Sequence, residues 1–79
     1  MPFKLNNRLD IYDVKYKIWR EAQIVEIISG KNNSCASIKI SYKGYSSMYD
    51  EMIDCRKEKD RIKEVGSLSG AEGFAKYSH

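Results

Sequence analysis

Seventy-nine residues, 42% hydrophobic and 32% charged, make one small globular domain, with no room for a substrate domain beside a cofactor domain. A chain of this length buries only about 60–65% of its unfolded surface, which argues against a self-sufficient enzyme and for a binding module. The net charge of +3 divides into +4 over residues 1–43 and −1 over residues 44–79, well short of the dense basic patch of a strong nucleic-acid binder.

No apolar run approaches the roughly 18 residues of a membrane span, and the start MPFKLNNRLD lacks the apolar stretch of a signal peptide. The expectation is a soluble intracellular chain with no membrane contact. Cys35 and Cys55 stand twenty apart with one histidine in the chain, His79. Zinc wants four ligands at short paired spacings, so no metal is expected. Intracellular thiols stay reduced, so both cysteines are expected to be free.

Residues 1–8 are expected to be a loose lead-in and residues 66–79, rich in glycine and serine, a flexible tail, leaving a domain over 9–65. Leu9 and Ile11 alternate with Asp10 and Tyr12, which predicts a first strand running into the lysine-rich connection Lys15-Tyr16-Lys17. Trp19 to Ile28 is rich in β-branched residues and ends at the turn signal Gly30-Lys31-Asn32-Asn33. Its doublets Ile24-Val25 and Ile27-Ile28 break strict alternation, so the expected strand is long and bent, by a bulge or a strong twist. The next strand puts Ala36, Ile38, Ile40 and Tyr42 on one face and Cys35, Ser37, Lys39, Ser41 and Lys43 on the other. Gly44 breaks it, a short strand is expected over Met48 to Ile53, and the charged run from Asp54 to Arg61 predicts a helical turn or a short closing strand. Several short strands in a small chain fit an all-β barrel, with an open meander of three or four strands as the alternative.

Tyr42, Tyr45 and Tyr49 fall within eight residues beside the acidic pair Asp50 and Glu51. Strand–turn–strand geometry gathers the three rings at one rim, with Tyr12 as a fourth wall, and ring faces beside fixed negative charge suit a methylated ammonium. The same tyrosines also fit core and surface packing, and both readings stand on periodicity. Trp19 reads as a core or barrel-end anchor, or else as an exposed stacking surface. Adjacent carboxylates on a strand point to opposite faces, which is wrong for a paired-carboxylate catalyst. No serine or cysteine has a base placed beside it and no phosphate-cradling glycine motif is present, so no enzyme and no cofactor is expected. Lys15, Lys17, Arg20, Lys39 and Lys43 interleave with aromatic residues as in a weak RNA or DNA binder, or else form a solvated face.

The combination WREAQIVEI, then IKISYKGYSSMYDEMI, then RI, from about Leu9 to Ile62, resembles the chromo barrel or Tudor-knot domain. That family carries an aromatic followed by E-A, a strand ending in H-Y-x-G-W, an aromatic-D-E-W, and R-I or R-L. It occurs in MYST-type histone acetyltransferases and in the MRG and male-specific-lethal chromatin proteins. The resemblance implies an SH3-like five-stranded barrel with a short C-terminal helical turn, monomeric and nuclear. It would read methyl-lysine on a histone tail peptide or serve as a docking domain of an acetyltransferase complex. By position, Tyr42, Tyr45 and Tyr49 match cage walls, Tyr12 is the nearest candidate for the fourth, and Asp50 and Glu51 match the acidic pair. The chain departs from the family at Met52, where the pattern has tryptophan, at Tyr45, a tyrosine in place of tryptophan, and at Arg20, an aromatic position in cage-competent members. Several relatives without a full cage bind RNA or DNA.

Overall fold

In the computed structural model, residues 3–67 are described, and they form a five-stranded antiparallel sheet. The strands are β1 (Arg8–Asp13), β2 (Ile18–Ser29), β3 (Cys35–Tyr42), β4 (Glu51–Asp54) and β5 (Ile62–Glu64), in the order β4-β3-β2-β1-β5. β4 and β5 are the two edges, each bonded to one neighbour, so the sheet is not closed by backbone hydrogen bonds. Among the described residues there is no α-helix; three short 3-10 turns, Lys31–Asn33, Ser47–Tyr49 and Lys59–Arg61, serve as connections. The last of these precedes β5, and no helical turn follows that strand among the described residues.

Hydrophobic alternation dictates the register. Ile38, Ile40 and Tyr42 of β3 face the core with Leu9 and Ile11 of β1, Ala22 and Ile24 of β2, Ile53 of β4 and Ile62 of β5. Residues from both edge strands thus share one buried cluster, which requires the sheet to curl over its inner face. Ala36, expected on the same row, is only partly covered. β2 shifts register between Ile24 and Glu26, leaving Val25 as the extra residue of a bulge. The doublet Ile24-Val25 marks the spot. Residues ahead of β1 fasten here: Asn6 N–H donates to the Ile24 carbonyl and Ile24 N–H to the Asn7 carbonyl, both at 2.8 Å, while Phe3 packs on the core.

Two expectations are corrected. Residues 47–49 coil into a 3-10 turn, and β4 begins only at Glu51, because Tyr49 and Asp50 N–H groups bond locally to Ser46 and Ser47 carbonyls. Cys35 and Cys55 are joined in a disulfide, not free, with Cα atoms 6.3 Å apart. The β3–β4 pairing sets Ser37 against Asp54 and Cys55 N–H on the Ala36 carbonyl, so the hairpin delivers the two sulfurs to each other. The expected tail spans residues 66–79, and of it only Gly66 and Ser67 lie within the described residues.

Candidate functional site

The inner face of the sheet is apolar along most of its length and turns polar at one end. Cross-strand pairing places Asp13 opposite Ile18, Arg20 opposite Ile11, Tyr42 opposite Ala22 and Glu51 opposite Ile40, so these polar side chains continue the rows of the core. They form the base of a pocket of about 890 Å3, walled by Tyr16, Tyr45, Met48, Tyr49 and Asp50.

Asp13 organises one side. Its Oδ1 accepts the N–H groups of Lys15 (3.0 Å) and Tyr16 (3.2 Å), and its Oδ2 accepts Arg20 Nε at 2.8 Å. This side-chain turn, with Lys17 at φ 58°, brings Tyr16 to the rim. Arg20 is largely buried, and its guanidinium carbon lies 5.0 Å from the Tyr45 ring centroid and 5.5 Å from that of Tyr16. One cation of the chain itself therefore already uses two aromatic faces of the pocket.

The opposite side is built on Glu51. Tyr42 Oη donates to its Oε1 at 2.6 Å, and Arg61 reaches both oxygens, Nη1 at 2.9 Å and Nη2 at 3.0 Å. Arg61 also donates to Glu58 Oε1 and, through Nε, to the Tyr12 carbonyl. It therefore ties edge strand β4 to the chain just ahead of β5, where no backbone pairing joins them. Burial alone raises the Glu51 carboxyl, but the bonds from Arg61 and Tyr42 outweigh it and hold Glu51 below the usual carboxylate range. Burial and the bond to Glu51 push the Tyr42 phenol well above its ordinary value.

The upper wall comes from the β3–β4 connection. Tyr45 N–H bonds the Tyr42 carbonyl at 3.1 Å across a turn in which Gly44 has φ +84°, a conformation that costs other residues about 1 kcal/mol or more. The Ser47–Tyr49 turn then folds Tyr49 against Tyr45, edge to face at 5.5 Å. Asp50 follows directly. Its Oδ1 is buried and has no hydrogen-bond partner among the described residues.

The structure thus brings Tyr42, Tyr45, Tyr49, Asp50 and Glu51 to one pocket, though in different roles. Tyr42 is buried with its hydroxyl committed, and Glu51 is paired. Tyr12 is not at the pocket. It lies on the outer face against Trp19, ring centroids 5.4 Å apart, because odd positions of β1 face inward and Tyr12 is even. Trp19 is accordingly an outer-face stacking residue and not core. Tyr16 takes the place expected of Tyr12. The basic candidates scatter: Arg20 is inside, Lys15 sits over the Tyr16 ring, and Lys43 leans on Glu21 at 3.8 Å. Lys39 occupies the outer face beside Met52 and Glu26, and Lys17 lies in the β1–β2 turn. Tyr16 at the rim and Arg61 behind Glu51 are not among the residues expected at the site.

Among the described residues no group of three or more His, Cys, Asp or Glu is placed to hold a metal, and no helix is long and apolar enough to cross a membrane. No family model, curated protein or solved structure matches the chain.

Proposed function

We propose that this chain is a chromatin-associated binding module that takes a methylated lysine of a histone-like peptide into the rim pocket. It binds and does not catalyse. The observation that carries the proposal is the Tyr45–Tyr49 edge-to-face pair in a pocket that Asp50 also lines. Ring faces attract an alkylated ammonium, and the carboxylate supplies the opposite charge. Exposed Val14, Tyr16 and Met48 at the same mouth offer apolar contact for flanking peptide residues. The curled sheet, with Arg61 clamping one edge to the approach of the other, supports a barrel of the SH3-like, chromo barrel kind.

At about 0.5–2 kcal/mol per cation–π contact the affinity is weak, and Arg20 weakens it further by holding one Tyr45 face. A nuclear location goes with this proposal; a reducing compartment works against the Cys35–Cys55 bond, so the fold must tolerate two thiols there. RNA or DNA binding is less favoured because Arg20 is spent on Asp13 and Lys39 lies on the outer face. Titration of the labelled protein with histone-tail peptides, methylated and unmethylated, tests the proposal. Shifts centred on Tyr45 and Tyr49 that vanish in Tyr45→Ala support it. Silence at millimolar peptide, or salt-steep binding of single-stranded RNA instead, counts against it.

A further inference from the structure

We propose that the Cys35–Cys55 disulfide is a redox latch on edge strand β4: opening it loosens β4 and the pocket floor while β1, β2 and β3 stay folded. This does not depend on what the pocket binds. Strands β1 to β4 each give the pocket a residue, and β4 is the only edge strand among them. It is four residues long, and among the described residues its ladder is to β3 alone, from Ser37 opposite Asp54 to Ile40 opposite Glu51. Side chains hold its two ends. At the pocket end Glu51 accepts Tyr42 and Arg61. At the far end Cys55, the residue after the strand, is bonded to Cys35, the first residue of β3. The two ends are also tied to each other. Glu58 accepts the Asp54 N–H through Oε2 at 2.8 Å and Arg61 through Oε1 at 2.9 Å. Its own N–H returns to the Asp54 carbonyl at 3.0 Å, so the turn that carries Cys55 also places Glu58. A turn released at Cys55 therefore moves an acceptor of Arg61, and Arg61 orients Glu51 at the pocket floor.

Both cysteines are only partly buried, packed at the margin of the core, so a small thiolate has access to the bond. The buried cluster contains neither of them, which lets the other strands keep their packing when the bond opens. The reductant is a low-molecular-weight thiol of the glutathione class. Its thiolate attacks one sulfur, forms a mixed disulfide, and the other protein sulfur leaves as a thiolate. A second thiolate attacks the small-molecule sulfur of that mixed disulfide and releases the remaining protein sulfur. The protons of the two thiols end on Cys35 and Cys55, which are reduced, and the small thiol leaves as its oxidised dimer. Exchange with that dimer runs the same steps backwards and closes the latch.

The test is nuclear spin relaxation on the full chain, oxidised and then held in a glutathione buffer at cytosolic poise. The double variant Cys35→Ser with Cys55→Ser serves as a permanently open form. A disulfide acting only through the unfolded chain changes global stability and leaves native-state order as it was, so relaxation separates the two effects. The expected result is that the bond opens in the buffer. The backbone order parameters of Asp54 and Cys55 then fall from the rigid value of about 0.85 to below about 0.6. The Arg61 Nε–H loses order with them, and the double variant reproduces both losses. Ile24, whose N–H bonds the Asn7 carbonyl at 2.8 Å in the β2 bulge, keeps its value. A bond that stays closed in the buffer, unchanged order at Asp54 and Cys55, or loss of order at Ile24 as well overturns the latch. Loosening of Asp54 and Cys55 with Arg61 unmoved overturns its link to the pocket floor.

Discussion

Replacing Arg61 with methionine removes the connection between the two ends of the sheet while keeping an apolar stem of similar length. Four hydrogen bonds go: one to the Tyr12 carbonyl at 2.8 Å, two to Glu51 at 2.9 and 3.0 Å, and one to Glu58 at 2.9 Å. The Arg61 side chain is 11% exposed, but Glu51 and Glu58 are 38% and 36% exposed, so water recovers both carboxylates. The ion pairs then contribute at most about 1 kcal/mol, and the orphaned Tyr12 carbonyl about 1 kcal/mol more. The loss is about 2 kcal/mol from a total that, for a chain of this size, is about 4–12 kcal/mol. Urea unfolding at neutral and acid pH measures it. Glu51 titrates below its unfolded value in the folded protein, so its contribution is present above the ordinary carboxylate value near about 4.3 and is lost as pH falls through the lower folded value. The gap between wild type and Arg61→Met should therefore narrow in acid to the Tyr12 share. A gap below about 0.5 kcal/mol at pH near 7, or one indifferent to acid, refutes the clamp.

Opening the Cys35–Cys55 disulfide, which closes a separation of 20 residues, should lower stability by about 3 kcal/mol on loop entropy, measured by denaturation of the double serine variant. Ile40→Ala, at a position with no exposure, should cost about 2–5 kcal/mol, whereas Val25→Ala on the bulge should change urea midpoints little. Tyr42→Phe should cost about 1 kcal/mol with cation binding retained, since only its bond to Glu51 is lost, and Tyr49→Ala should show the reverse. Tyr12→Ala should leave binding untouched, because that ring stacks on Trp19 outside the pocket.

Where burial follows strict alternation, the sequence is a good guide. Ile38, Ile40 and Tyr42 declare the inner face of β3, and the Ile24-Val25 doublet declares the bulge. Alternation misleads where a polar residue occupies an inner row for a reason of its own. Arg20 faces inward because Asp13, on the paired strand, neutralises it. Asp10, which alternation sends outward, is fully buried and accepts the Gly66 N–H at 3.1 Å; that partner is 56 residues away and leaves no local trace. Tyr12 lies outside the pocket on parity, since a one-residue step along a strand reverses the face. Tyr16 was hidden in a turn whose shape Asp13 sets through its side chain. The cysteine pair was legible in hindsight: the β3–β4 register centres the hairpin near Tyr45, and residues 35 and 55 fall almost opposite.

The most direct test of the proposed site is a search for intermolecular nuclear Overhauser contacts between the N-methyl protons of a histone-tail peptide bearing dimethyl-lysine and the protein's aromatic protons. The account predicts contacts to the rings of Tyr45 and Tyr49 and none to Tyr12 or Trp19. Contacts confined to the Tyr12–Trp19 face, or no aromatic contact at saturating peptide, would contradict it.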